Sequence, residues 1–325
     1  MTHLGAHDSP FLRNQATSFS TSGNHFYNTT VQLESGVRML SAQVHQFNNS
    51  GTVEWHLCHT SCNLLDAGTL TNWLQEIKTW MDAHPNDVVT LLIVNSDDAD
   101  AATLGSQFAA SGIDQLAYTP PSLSSPPTQW PTLSALISNR TRLLTFVASL
   151  AAPPSPQYPY LMDEFTFLFE NPFENTTPAT YACNPDRPTS LRDNPLAAAQ
   201  SDRLFLMNHM LYTQQSFGIQ TTNLSYANRT NAQTGEGSLG AHIKNCSAVY
   251  GGAKPVFVLV DWSNLGPAIA SVDEANGVSD PVGRLSLPTV ALAQTGSAVG
   301  RTKGNMLVVV VVVVVALVVA GGFAS

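Results

Sequence analysis

Short apolar runs alternate with segments of helical periodicity along most of the chain. Residues 88–94 are apolar except at Thr90, which is typical of a strand that is buried on both faces of a parallel sheet. Residues 69–84 carry apolar side chains at spacings of three and four before Pro85, and this pattern predicts a helix. The alternation of the two patterns predicts an α/β protein.

The same patterns recur from the N-terminus to about residue 260. A first strand ends near Gly5, and further strands are predicted at residues 36–45, 53–59, 88–94, 143–147, 165–169, 204–207 and 256–260. Helices are predicted at residues 30–35, 69–84, 99–111, 133–138, 194–201 and 241–250. No internal repeat or break in composition divides this region, so we expect a single TIM-type (β/α) barrel, regular or irregular, over residues 1–285.

Composition excludes several classes of protein. The chain has 325 residues, 43% of them hydrophobic, which is enough for a large core. Lys and Arg total 14 and the net charge is -9, so a nucleic-acid partner is not expected. We expect a monomer.

The C-terminus predicts attachment to a membrane. Residues 307–320 are an unbroken run of valine, leucine and alanine within an apolar tail, 307–325. They follow a polar linker, 286–306, that contains the small residues Gly296, Ser297 and Ala298. Small residues, spacer and apolar tail are the pattern of a GPI-attachment signal. A membrane-spanning tail anchor is the alternative, but the run is shorter than the roughly 20 residues that a spanning helix needs.

The N-terminus lacks the basic and apolar regions of a signal peptide. Because a GPI-anchored protein must enter the secretory pathway, we expect that the true start lies upstream of Met1 and that the protein resides at the cell surface. Secretion also agrees with seven Asn-x-Ser/Thr sequons, each a candidate glycan acceptor. They begin at Asn28, Asn48, Asn139, Asn175, Asn223, Asn228 and Asn245.

Four cysteines allow three disulfide pairings. We favour Cys58 with Cys62, because these two flank one turn, and Cys183 with Cys246, which remain. Zinc bound by the first pair with the nearby histidines is the alternative, but no second ligand pair at regular spacing follows.

Polar side chains follow the predicted strands, where a barrel carries its reactive groups. They are His7, Asp8, Gln43, His45, His59, Asn95, Asp97, Asn208, His209 and Asp261. Two histidines in one cleft suit cleavage of a phosphodiester, since one can remove the proton of the nucleophile while the other protonates the leaving oxygen. A carboxylate beside the first histidine would orient it.

Three segments carry a resemblance to a known family. Residues 3–9 (HLGAHDS), 36–40 (GVRML) and 57–59 (LCH) with the helix after them resemble the phosphatidylinositol-specific phospholipase C (PI-PLC) X-domain family, in particular its fungal secreted phosphodiesterase branch. The resemblance implies that His7 is the general base and His59 the general acid, with Asp261 orienting His7 and Asp8 near the phosphate. It also implies a phospholipid substrate: bacterial members form a cyclic phosphodiester and diacylglycerol.

One position departs from that family. Gln43 stands where bacterial members have an arginine that contacts the phosphate, and His45 or Lys78 is the candidate to replace its charge. The predicted substrate-binding residues are Arg38, Gln43, His45, Glu170, Asn208 and Trp262. We expect no cofactor or metal, because the acidic cluster of the calcium-dependent branch is not evident, although Asp97 and Asp98 leave calcium open.

Other interpretations remain for these residues and for the whole chain. His59 could be an ordinary polar residue of a disulfide loop, and Asp261 could cap a helix. A cell-surface binding protein that has lost activity is the alternative that Gln43 favours. A GPI-anchored glycosidase lacks convincing paired carboxylates.

Overall fold

The computed structural model describes residues 1–150, 155–215 and 220–292. The strands are β1 (His3–Ala6), β2 (Met39–Asn49), β3 (Thr52–Cys58), β4 (Asp66–Thr69), β5 (Val89–Asn95), β6 (Leu143–Ala148), β7 (Leu161–Asp163), β8 (Leu168–Glu170), β9 (Leu204–Asn208), β10 (Tyr212–Gln214), β11 (Gln220–Thr222) and β12 (Phe257–Val260). The helices are α1 (Thr29–Glu34), α2 (Leu70–Ala83), α3 (Ala101–Ser111), α4 (Leu133–Ser138), α5 (Glu164–Phe167), α6 (Pro195–Ala199), α7 (Ala227–Thr230), α8 (Leu239–Val249) and α9 (Ala268–Asn276).

Parallel strands curl into a barrel in the order β7-β6-β5-β2-β1-β12-β9-β8. The order ends at β7 and β8, which α5 joins along the chain, so the barrel is open at that seam. The predicted TIM-type architecture is confirmed, in an irregular form.

Two apolar layers follow from the alternation of side chains along each strand. Met39, Phe146, Leu206 and Phe257 belong to the cluster inside the barrel. Their neighbours along the strands face outward and pack against the helices. Each large side chain that is fully buried contributes about 1.5–3 kcal/mol.

Helix α2 shows how the sequence builds the outer layer. Its apolar residues, among them Leu74 and Ile77, are buried, as their spacing predicts. The Thr69 hydroxyl caps the helix by accepting from the Asn72 N–H, and the helix ends before Pro85. The prediction of this helix is confirmed.

Two predicted strands differ in the structure. Residues 165–169 are divided between α5 and β8, because the Asp163 side chain caps a short helix by accepting from the Thr166 N–H. The strand predicted at residues 53–59 is β3, which is antiparallel to β2 and lies outside the barrel order. The patterns also missed β4, β7, the β10–β11 pair, α7 and α9, most of which are short.

Both predicted disulfides are formed, Cys58–Cys62 and Cys183–Cys246. They differ in the loop that each closes, with sequence separations of 4 and 63 residues. A longer loop removes more conformational entropy from the unfolded chain.

We expect replacement of both Cys183 and Cys246 by alanine to lower the free energy of unfolding by about 4 kcal/mol, against about 2 kcal/mol for Cys58 and Cys62. Urea denaturation of the two double variants and the parent measures the difference. Equal losses in the two variants would contradict this explanation.

The segment after α9 packs along the barrel toward the carboxyl ends of the strands. Arg284 pairs with Asp273 of α9, and the Leu285 N–H donates to the Glu34 carbonyl. Further on, Asn264 Nδ2, in the loop after β12, donates to the Pro288 carbonyl. The residues predicted for lipid attachment, 296–298, and the apolar run 307–320 lie outside the described residues. Within the described ranges no helix has the length and apolar character needed to cross a membrane.

Candidate active site

Three neighbouring strands bring polar side chains to one end of the barrel. Gly5 pairs with Leu259, and the inward-facing series on β1, β2 and β12 continue to His7, Gln43 and Asp261. Gly5 allows this close packing, since a Cβ there would lie 2.6 Å from Leu259 Cδ2. The alternation of side chains therefore places these residues at one site.

His7 and Asp261 form a hydrogen-bonded pair. His7 Nδ1 lies 2.9 Å from Asp261 Oδ1, and a proton on Nδ1 donates to the carboxylate. Asn24 Nδ2 donates to the same oxygen at 2.9 Å. This arrangement orients the ring of His7 and leaves Nε2 as its second functional nitrogen, as in other His-Asp pairs.

Asp8 lies between the two predicted catalytic histidines. Its backbone adopts a left-handed conformation (φ 53°), which aspartate tolerates better than most residues, and its N–H donates to the Ser41 hydroxyl. Asp8 Oδ2 lies 3.6 Å from His7 Nε2 and 3.6 Å from His59 Nε2. The same carboxylate oxygen therefore faces both ring nitrogens.

His59 follows β3, a strand that lies outside the barrel order. Strand β3 runs back along β2, with Leu57 opposite Val44, so the residue after Cys58 returns to the carboxyl end of the barrel. The Cys58–Cys62 disulfide closes the loop that carries His59. The Phe11 ring packs against the imidazole of His59 in a T-shaped arrangement at a centroid distance of 5.3 Å.

Exposure differs between the histidines and the carboxylates. The side chains of His7 and His59 are 19% and 20% exposed, whereas those of Asp8 and Asp261 are 1% and 5% exposed. A ligand can therefore reach both rings while the two acids stay buried behind them. This division suits histidines that exchange protons and carboxylates that control them.

The pKa values of the two histidines are shifted in opposite directions. Burial disfavours the charged form of His7, but Asp8 and Asp261 outweigh it and raise its pKa to about 9. Burial lowers the pKa of His59 below 6.5, and the opposing effect of Asp8 is smaller. Near neutral pH His7 carries the proton and His59 is neutral.

Supporting residues that the sequence prediction missed are Asn24, His25, Ser41 and Thr60. Burial lowers the pKa of His25 to about 4, so its ring is neutral and Nε2–H can donate to the His7 carbonyl at 2.8 Å. Asn24 and His25 belong to a polar loop without periodicity. The one local feature in the sequence is Gly23 just before them. The structure explains this glycine, since a Cβ there would lie 2.5 Å from the Leu12 carbonyl carbon.

Arg38 is not brought to this site, which corrects the prediction that it binds substrate. It lies at the start of β2, and its backbone N–H donates to the Leu4 carbonyl. Its guanidinium donates to Asp87 at 2.7 Å. Lys78 does not supply the missing charge either, because its ammonium pairs with Asp82 on the surface of α2.

Glu170 and Asn208 form a separate buried cluster. Glu170 pairs with Arg187 at 2.6 Å, and Asn208 Nδ2 donates to the second carboxylate oxygen at 2.6 Å. Glu164 is buried nearby, and burial together with Glu170 raises its pKa. The Glu170 carboxylate is thus engaged by Asn208 and Arg187 within the protein, and substrate binding by Glu170 and Asn208 stays a prediction.

Trp262 and His45 also remain predictions as substrate-binding residues. Trp262 is 1% exposed and packs against Phe26 at a centroid distance of 4.8 Å. His45 Nδ1 lies 3.3 Å from Asp97 Oδ1, and the second Asp97 oxygen accepts from the Gln46 N–H. These bonds hold Asp97 on the edge of the barrel beside β2.

A metal-ligand geometry occurs once among the described residues, at Cys183, His242 and Cys246. Both cysteines are in a disulfide, which removes their thiolates as ligands. The absence of a required metal at the His7 site stays a prediction.

Comparison with known proteins identifies the family. The family model described as PI-PLC X 1 matches residues 1–276. This chain belongs to the PI-PLC X domain family. It is 38% identical over 280 residues to PI-PLC X domain-containing protein 1 of Arthroderma benhamiae, covering 86% of this chain and 85% of that protein. It is 34% identical over 312 residues to an uncharacterized secreted protein of the same fungus, covering 94% and 67%.

Solved structures support the fold of this PI-PLC X domain. The phosphatidylinositol-specific phospholipase C of Listeria monocytogenes matches with a TM-score of 0.54 at 13% identity, over 85% of this chain and 93% of that one. A double mutant of the Staphylococcus aureus enzyme matches with a TM-score of 0.51 at 15% identity, over 86% and 92%. At these identities the likeness concerns the barrel alone.

Proposed function

We propose that this PI-PLC X domain is a phosphodiesterase that cleaves a phospholipid, or a related phosphodiester, by acid–base catalysis with two histidines. The observation that carries the proposal is the juxtaposition of His7 and His59, whose Nε2 atoms both lie 3.6 Å from Asp8 Oδ2. Both rings are accessible, and one of them is fixed by a buried carboxylate. Membership of the family supports the same reaction class.

In the proposed reaction each of the two histidines transfers one proton. His7 Nε2 removes a proton from the attacking hydroxyl, whose oxygen forms a new bond to phosphorus. The bond from phosphorus to the leaving oxygen breaks, and His59 Nε2 donates a proton to that oxygen. Asp261 stabilises the cationic form of His7 that results. If the attacking hydroxyl belongs to the head group, the products are a cyclic phosphodiester and diacylglycerol.

In the reactive form one of the two histidines is protonated and the other is neutral. In the free site that proton resides on His7, so the form with neutral His7 and protonated His59 is the minor one. The two forms contain the same number of protons and therefore respond to pH identically. The assignment of base and acid therefore needs an experiment that probes the leaving group.

A direct assay tests the proposal. Residues 1–296 are expressed behind a signal peptide, and phosphatidylinositol and glycerophosphodiesters are assayed by phosphorus NMR. We expect turnover of at least one phosphodiester. A lack of turnover on all of them would instead favour the binding protein that Gln43 suggests.

We expect a broad optimum of kcat/KM against pH. Activity should fall below the lowered pKa of His59, where both rings are protonated and no base remains, and above about pH 9, where His7 loses the last proton. Because the negative charge of Asp8 is one of the main effects that raise the pKa of His7, Asp8→Asn should move the alkaline limb to lower pH. An unchanged alkaline limb in Asp8→Asn would contradict this explanation.

We propose an extracellular location with a lipid anchor at the C-terminus. A relative described as secreted supports the location, and the two disulfides agree with an oxidising compartment. Sequon asparagines such as Asn48 and Asn245 are exposed, whereas Asn175 is buried and donates its Nδ2 to the Pro172 carbonyl. Glycans are therefore proposed at exposed sequons and not at Asn175.

A further inference from the structure

Gln43 uses both ends of its side-chain amide within the site. Its Nε2 donates to Asp8 Oδ2 at 2.7 Å, and its Oε1 accepts from the Thr60 N–H at 2.7 Å. One contact reaches the turn after β1 and the other the disulfide loop that carries His59. The side chain thus connects the two segments that present the catalytic histidines.

The hydrogen bond from Gln43 fixes the position of the buried Asp8 carboxylate. Asp8 is 1% exposed, and its Oδ1 accepts no hydrogen bond from the described residues. A buried carboxylate that lost the Gln43 bond would seek another donor, because an unpaired buried charge is costly. The ring nitrogens of His7 and His59 are near, and a shift of less than about 1 Å would bring either into hydrogen-bond range.

Such a shift would occupy a nitrogen that the reaction needs. A direct ion pair with His7 Nε2 would block the base, and one with His59 Nε2 would hold the acid away from the leaving oxygen. The Gln43 bond keeps Asp8 Oδ2 at the same 3.6 Å from both. An amide suits this role since it contains a donor for Asp8 and an acceptor for Thr60.

We propose that Gln43 is a positioning residue that holds Asp8 between the two histidines and fixes the His59 loop, rather than a ligand of the phosphate. This inference rests on the proposed two-histidine function. It replaces the prediction that Gln43 binds substrate, because both polar groups of the amide are already bonded to the protein. Glutamate would lose the donor for Asp8, and arginine would lose the acceptor for Thr60.

Gln43→Met tests the role, because methionine has nearly the same shape and lacks both polar groups. We expect kcat/KM near pH 7 to fall about 10- to 100-fold, the effect of misplacing catalytic groups. We also expect the titration midpoint of His7 or His59, followed by NMR of the imidazoles, to rise as Asp8 closes onto a ring. Resonances are assigned with His7→Gln and His59→Gln.

Two further variants complete the test. Gln46→Met lies on the same strand with an exposed side chain and should leave both midpoints and the activity unchanged. Gln43→Asn retains the amide but is one methylene shorter, so it should shift the titration midpoints as Gln43→Met does. It replaces Gln43→Met in the test if Gln43→Met does not fold. Midpoints equal to those of the parent in a folded Gln43 variant would overturn the positioning role. Because the titration needs no substrate, that outcome is distinct from a lack of turnover in the parent.

Discussion

Replacement of His7 by alanine is expected to lower kcat/KM for phosphodiester cleavage by about 10²- to 10⁴-fold, the usual contribution of a general acid or base. The ring is held by Asp261 at 2.9 Å and accessible on its other side, so its removal deletes the proton acceptor without opening the core. Phosphorus NMR of the product measures the loss.

His84→Ala is the matched control. His84 lies at the end of α2, where its ring stacks on Trp80 at a centroid distance of 4.0 Å, away from the His7 site. We expect this variant to keep the kcat/KM of the parent, with thermal denaturation confirming that both variants fold. Turnover that survives in His7→Ala would exclude the two-histidine mechanism.

Replacement of His59 by alanine is expected to have a similar effect on a diacylglycerol leaving group, again about 10²- to 10⁴-fold. The loss should be much smaller with an activated aryl leaving group, because an acidic phenol departs without needing a proton. A base is needed with either substrate, so His7→Ala should lose activity toward both. Comparison of the two substrates therefore assigns the acid.

The electrostatics of the free site would also allow the reverse result, in which the activated substrate rescues His7→Ala and not His59→Ala. Asp8 and Asp261 raise the pKa of His7 to about 9, which makes His7 the protonated ring of the free protein. If that form reacts, His7 is the acid and His59 the base, and the activated substrate would rescue His7→Ala instead. Rescue of neither variant would argue against proton donation to the leaving oxygen by either ring.

The double variant adds a check on cooperation between the histidines. Groups that act as one unit are not additive, so loss of both should cost little more than loss of either. A full product of the two single effects would indicate independent roles.

Periodic segments predicted the barrel well. Strand β5 and helix α2 were recognised because one is buried on both faces and the other on one side, and burial imposes a pattern on the sequence. Segments whose form depends on a cap or on a partner strand were not recognised. Residues 165–169 were misassigned because a bond from the Asp163 side chain outweighs their aromatic strand propensity.

The amino-acid sequence was sufficient to predict the fold, the disulfide pairing and the candidate residues His7, Asp8, His59 and Asp261, because strand and helix periodicity, four cysteines and a family motif can all be read along the chain. Tertiary structure decided their relations. Asn24 reaches Asp261 across 237 positions, and His59 follows β3, which pairs with β2 but lies outside the barrel order. The positioning role that we propose for Gln43 rests on tertiary structure in the same way, because its hydrogen bonds to Asp8 and to the Thr60 N–H join segments that are distant in sequence.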